Sequence, residues 1–221
     1  MNFNDISKLF VETLLMTLIA TGCTYIIGIP LGLILNITSS KGICQNRIVN
    51  ILLSTIVNIL RSIPCLIVVV LMMPMVRSIF GVGTGRWYTI LIPLIFTSIG
   101  FVSRMVEQSL RDVDYGKIET VKSLGATNFQ IITKVLLPEA RASLIGGVAV
   151  VMVSIIGYTS FAYNIGAGGL IAGLWQFYAK NPGNYLKEPI FWVLIIIIVI
   201  LVWLIQELGL FISKKLDKRR G

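Results

Sequence analysis

Residues 103–140, SRMVEQSLRDVDYGKIETVKSLGATNFQIITKVLLPEA, decide how this chain is read. Ile118, Val121 and Leu124, then Phe129, Ile132, Val135 and Leu136, recur at helical spacing. Gly125 suits the C′ position that ends a first short helix. Thr127 followed by Gln130 makes a capping box that opens a second one. Pro138 either ends that second helix or serves as the first residue of the next long one. The product is a short helix, a Gly-Ala-Thr corner and another helix, with an apolar stripe. An amphipathic pair resting on a surface would explain the periodicity alone. A corner that presents a knob to a cleft in a soluble partner explains the periodicity and the sharp turn together.

On both sides of this segment the character changes. Over 221 residues the chain is 56% apolar and only 13% charged, and its mean hydropathy is +0.88. Soluble domains carry roughly 25% charged residues, so lipid must be the solvent for much of this one. A hydrocarbon core about 30 Å thick takes roughly 20 helical residues. Five stretches qualify: about Leu14–Ile37, one ending near Val76 and beginning between Leu52 and Ile63, Tyr88–Val106, Ala142–Tyr163 and Pro189–Phe211. Runs of this length span lipid as helices. The expected fold is an all-α integral membrane protein of five transmembrane helices, residues 1–221 forming one domain, with residues about 107–141 as a cytoplasmic helix pair.

Charge gives the orientation. Lys41, Arg47, Arg104, Arg111, Lys117, Lys122, Lys134, Arg141 and the tail Lys214, Lys215, Lys218, Arg219 and Arg220 fall on one side of the spans. Lys8, Arg77, Arg86, Lys180 and Lys187 fall on the other. Lys and Arg gather on cytoplasmic segments, so the corner and the C-terminus are expected inside and the N-terminus outside. The same rule accounts for the net charge of +9 better than nucleic-acid binding does, because the basic residues lie between apolar runs. The N-terminal MNFNDISKLF lacks a strongly positive region and a cleavage site, and reads as the lead into a retained first span. Arg61 lies inside an apolar stretch. It either snorkels to the cytoplasmic interface, the favoured reading, or faces a polar cavity.

Catalytic classes find little support. The sequence has no histidine, which excludes a His-based metal site, triad or proton relay. Cys23, Cys44 and Cys65 form no CxxC pair and read as small apolar fillers. Glu12, Glu107 and Glu207 fall at or near span ends, whereas a proton-coupled carrier would bury a carboxylate near the midplane. There is no G-x-x-x-x-G-K-[ST] phosphate loop, so any energy for transport comes from another polypeptide. The expectation is no enzyme, no metal and no cofactor in this chain.

Glu119-Thr120-Val121, three residues, Gly125, nine residues, then Val135-x-Leu137-Pro138 resembles the EAA signature, E-A-A-x3-G-x9-I-x-L-P, of binding-protein-dependent ABC permeases. Both alanines and the Ile of that pattern are replaced here. Further stretches, ETLLMTL, IVNILRSIPCLIVVVLMMP, FVSRMVEQSL, SLGATNFQIITKVLLPEA and IGAGGLI, make the chain similar to the methionine-import permease subfamily, whose subunits have five spans. Permeases for another amino acid or a quaternary amine share the EAA loop.

That resemblance implies a type I ABC importer fold. It implies two copies forming the pore in the bacterial cytoplasmic membrane, two cytoplasmic ATPase subunits that bind ATP and Mg, and an extracytoplasmic binding protein that delivers an amino acid. It implies that the corner couples to the ATPase: Glu119 pairing with a basic group, Gly125 making the turn, Ala126 allowing close approach, Thr127 capping and Pro138 setting the junction. Tyr158, Ser160 and Phe161 read either as lining of the substrate path or as ordinary packing. Gly166–Gly169 suits a turn or re-entry between spans, and Gly28-x3-Gly32 suits helix packing. The reading of a different class is an ATP-independent channel or scaffold, against which the corner argues.

Overall fold

Long apolar runs satisfy their backbone internally as helices, and the computed structural model, which describes residues 3–216, is helical in every regular element among them. The first helix, α1 (Phe3–Thr38), passes through Pro30 without a break. It lies along α4 (Leu91–Arg111), which a 3₁₀ turn at Trp87–Ile90 introduces. Their approach depends on missing side chains, as the Gly28-x3-Gly32 spacing leads one to expect. A Cβ on Gly28 would stand 2.5 Å from Val102 Cγ1, and one on Gly32 2.5 Å from the Ser103 carbonyl oxygen.

The second stretch, expected to start between Leu52 and Ile63 and end near Val76, divides within that starting range. It is two helices, α2 (Arg47–Ser62) and α3 (Cys65–Phe80), bent by 102°. Proline disfavours the helical region for the residue before it and offers no N–H, and Ile63 and Pro64 are both extended, with ψ of 118° and 139°. The helix α2 is amphipathic with its polar side inward. Asn50 Nδ2 donates to the Leu35 carbonyl at 2.8 Å and to Thr38 Oγ1 at 3.1 Å. Ile48, Ile51, Leu52, Ile56 and Ile59 are exposed.

The corner consists of α5 (Tyr115–Ser123) and α6 (Asn128–Ile131). A π-turn over Ile132–Leu136 leads into α7 (Leu137–Tyr158), which tightens to a 3₁₀ stretch at Thr159–Ile165. Pro138 therefore does not end the second corner helix. The Leu137 N–H reaches back to the Ile132 carbonyl, a widened turn just where a proline ring would collide with the carbonyl four residues earlier. The fourth span thus begins well before the expected Ala142.

Sequence reading gave no helix between the fourth and fifth spans, yet α8 (Leu170–Lys180) stands there. The turn before it needs Gly169, at φ +99°, and α1 caps it. Glu12 Oε2 accepts the Gly169 N–H at 3.0 Å, and Thr13 Oγ1 accepts that of Leu170 at 2.8 Å. Such caps satisfy donors a helix start leaves open. The final helix, α9 (Pro189–Leu216), returns antiparallel to α7. Ser213 Oγ donates to the Ala142 carbonyl at 2.8 Å. The end of α9 therefore lies beside the corner, and its start lies at the far end with α8 and the start of α1. A run of ring contacts, Tyr163–Trp175–Tyr178–Tyr185–Phe191–Trp192, marks that far end, as aromatic residues do at a membrane boundary.

Four stretches, Asn4–Thr38, Trp87–Arg111, Asn128–Ile165 and Pro189–Leu216, are long and apolar enough to cross a bilayer, and the bent α2–α3 pair makes a fifth when it is counted as one span. Of the basic tail, Lys214 and Lys215 end α9; Lys218, Arg219 and Arg220 lie outside the described residues.

Candidate functional site

The corner is closed by local chemistry at each joint. Asp114 Oδ1 accepts the Gly116 N–H at 2.9 Å and so caps α5. At the other end the Gly125 N–H bonds to the Lys122 carbonyl at 3.0 Å and the Ala126 N–H to the Val121 carbonyl at 3.1 Å. This 5→2, 6→1 pair is a Schellman stop. It needs a left-handed residue, and Gly125 has φ +82°. The capping box is present as read: Thr127 Oγ1 accepts the Gln130 N–H at 3.3 Å, and Gln130 Oε1 accepts the Thr127 N–H at 2.8 Å.

Packing then splits what the sequence offered as a single stripe. Ile118, Ile131 and Leu136 are buried, and Val121, Ala126, Ile132 and Leu137 pack half-buried against the same core. Leu124 and Phe129, which sequence spacing put in the same stripe, point outward at 82% and 73% exposure. The tight turn at Gly125 and the fresh start at Thr127 break the helical phase between them. Glu119 and Thr120 are exposed on α5, Val135 is half-buried and Pro138 is exposed. Two braces hold the corner: Lys117 Nζ meets Glu139 Oε2 at 2.6 Å, and Asn128 Nδ2 donates to Cys44 Sγ at 3.1 Å. The arrangement is a knob with two exposed apolar side chains, Leu124 and Phe129. Covering each would contribute about 1.5–3 kcal/mol.

The second constellation was not read in the sequence. Glu107, expected at a span end, is a buried carboxylate at 4% exposure. Arg104 Nη1 and Arg111 Nη2 each donate to it at 2.6 Å. Arg104 Nη2 also reaches α2, at the Ser54 hydroxyl, the Ser54 carbonyl (3.2 Å) and Asn58 Oδ1 (2.9 Å). A groove of about 540 Å³ runs beside the cluster, with Arg61 on its wall together with Phe101, Gln108 and Asp112. Arg61 is exposed on the wall of this groove, on the same side of the protein as Arg104 and Arg111. The signal was legible in Arg104-x2-Glu107-x3-Arg111, which places three charges on one helix face.

The three path candidates lie at and just after the end of α7. Tyr158 and Phe161 pack half-buried against the main core, and Ser160 is half-buried near them.

Comparison with known proteins defines the class. A family model described as the inner membrane component of binding-protein-dependent transport systems matches residues 28–220. The chain belongs to that family. It is 38% identical over 209 residues to the probable D-methionine transport system permease protein MetI of Pasteurella multocida, covering 94% of each chain. It is 39% identical over 188 residues to the methionine import system permease protein MetP of Bacillus subtilis, covering 84% of this chain and 82% of that one. Among solved structures, an inward-facing MetNI methionine ABC transporter superposes with a TM-score of 0.89 at 33% identity, over 97% of both chains. An amino acid ABC transporter superposes with a TM-score of 0.76 at 17% identity, a likeness of fold alone.

Proposed function

We propose that this chain is the membrane permease of an ATP-driven importer that carries methionine, in the D or L form, across the bacterial cytoplasmic membrane. The observation that carries the substrate is the likeness, along nearly its whole length, to permeases named for D-methionine and methionine. A charge-poor set of spans agrees with an apolar zwitterion as cargo.

In this reading two copies of the chain enclose the path, since one set of five helices hardly surrounds an amino acid. An extracytoplasmic binding protein delivers at the end where α8 and the aromatic run lie. The corner, the C-terminus and the groove face the cytoplasm, and the N-terminus lies outside. A pair of ATPase subunits holding ATP and Mg receives the corner. Leu124 and Phe129 enter the cleft, Glu119 meets a basic group, and Thr120, Val121, Ala126, Val135 and Leu137 shape the flanks. Gly125 and Thr127 fix the turn, and Pro138 sets the junction with α7. ATP closure of the partner biases the spans between inward- and outward-open states. Tyr158, Ser160 and Phe161 bear on the path only if the second copy brings it to them.

Labelled-methionine uptake by cells expressing the chain with its ATPase and binding protein tests the substrate. Competition by unlabelled D- and L-methionine, and none by a quaternary amine, is the expected result. Competition by the amine alone would move the chain to the other branch of the family.

A further inference from the structure

A carboxylate buried in a membrane helix is costly unless its charge is met. Glu107 meets that requirement by neutralising Arg104 on one oxygen and Arg111 on the other, both at 2.6 Å. The pairings fix the plane of the Arg104 guanidinium. Its Nη1 edge is spent on Glu107, and its Nη2 edge leaves α4 for the Ser54 carbonyl and hydroxyl and Asn58 Oδ1. An arginine can serve two edges in this way because its donors form a rigid fork; a lysine cannot. Ser54 and Asn58 lie one turn apart on the polar side of α2, and the same side sends Asn50 to the Leu35 carbonyl.

The staple stands between two mechanical elements. Arg111 is the last residue of α4, and only residues 112–114 separate it from α5, the first helix of the corner. One turn past Asn58, α2 ends at Ser62, and the chain breaks at the extended Ile63–Pro64 pair and turns by 102° into α3. Beyond the break α3 buries apolar residues, Val68, Val69 and Val76. Contacts of that kind slide at less cost than an oriented, charge-assisted hydrogen bond breaks.

We infer that Arg104, held by Glu107, is a positioning residue that makes α2 move with α4 and the corner as one body, so that the stroke of the corner is delivered to the bend at Ile63–Pro64. The inference rests on the transport reading above. It assigns α2 as the arm of the gate and the bend as its hinge.

The test uses the permease reconstituted with its ATPase and binding protein. One variant, Ser54→Ala with Asn58→Ala, removes side-chain receivers on α2 and leaves both ion pairs of Glu107 intact. A second, Arg104→Lys, keeps the charge but not the fork. In both, binding-protein-stimulated ATP hydrolysis is retained, while methionine moved per ATP falls on the order of tenfold, the scale set by one charge-assisted hydrogen bond. An unchanged ratio, or hydrolysis and uptake falling together, overturns the inference. Spin labels in a background with the three cysteines replaced give the second readout. The pair Ile51→Cys and Gln108→Cys, across α2 and α4, keeps its distance between nucleotide-free and ATP-trapped states, and Ile51→Cys with Val70→Cys, across the bend, does not. A nucleotide-dependent change in the first pair overturns the inference. Should the parent move no methionine, the transport reading fails by itself. The staple then stands or falls on whether the Ser54/Asn58 variant broadens the Ile51–Gln108 distance.

Discussion

Thr127 and Gln130 cap each other, each side chain accepting the other residue's backbone N–H, at 3.3 and 2.8 Å. The pair starts α6 immediately after the chain has turned through Gly125, so it sets the angle at which the corner leaves the membrane domain. Replacing an N-cap threonine by alanine costs about 1 kcal/mol. Thr127→Ala is expected to speed amide exchange in Asn128–Ile131 about fivefold through local opening, read by hydrogen–deuterium exchange on the detergent-solubilised protein. Exchange unchanged in that segment would mean the cap contributes nothing.

Gly125 separates turn geometry from docking. A Cβ there meets nothing within 4 Å, yet φ is +82°. Gly125→Ala is therefore expected to cost about 1 kcal/mol of strain while the protein still folds and reaches the membrane. Gly125→Asp adds a charge to the tip, in a residue that tolerates the left-handed region. Coupled uptake is expected to be lost with insertion intact; normal uptake would remove the corner from the docking face.

Leu124 and Phe129 are exposed, at 82% and 73%, so the isolated chain gains little from them. Leu124→Ser with Phe129→Ser is expected to leave thermal stability within about 0.5 kcal/mol, the range of ordinary surface changes. Copurification of the ATPase subunit is expected to fall by more than tenfold, on the order of the burial energy of two large apolar side chains. A loss of stability with copurification intact would reverse the assignment.

The α1–α4 contact is a packing claim with an internal control. Gly28→Ala drives a methyl into Val102, an overpacking worth about 1–3 kcal/mol. A Cβ at Gly22 of the same helix meets nothing within 4 Å. Gly28→Ala should lower the melting temperature of the solubilised protein, and Gly22→Ala should not.

Particular residues show what sequence alone conveys in a membrane chain. The apolar runs, the corner, the Schellman glycine and the capping box were all legible, because each rests on local chemistry or on length. The 102° bend was not: Pro64 marks where a span can start, but the angle comes only from the extended Ile63–Pro64 geometry. The helix α8 was hidden because its start is capped by Glu12 and Thr13, more than 150 residues away in sequence. The pairing of Glu107 with Arg104 and Arg111 was legible in their spacing, but the link from Arg104 to Ser54 and Asn58 was not, because those residues belong to another helix. Leu124 and Phe129 read as part of one stripe with Ile118 and Ile132 because periodicity records a phase within one helix and carries no memory across a left-handed turn.

The most direct test of the whole account is labelled methionine in proteoliposomes holding this chain, its ATPase and its binding protein, followed with and without ATP. Accumulation against a gradient that needs ATP, and that Gly125→Asp abolishes, is the predicted result. Equilibration at the same rate without ATP would contradict it and make the chain a channel.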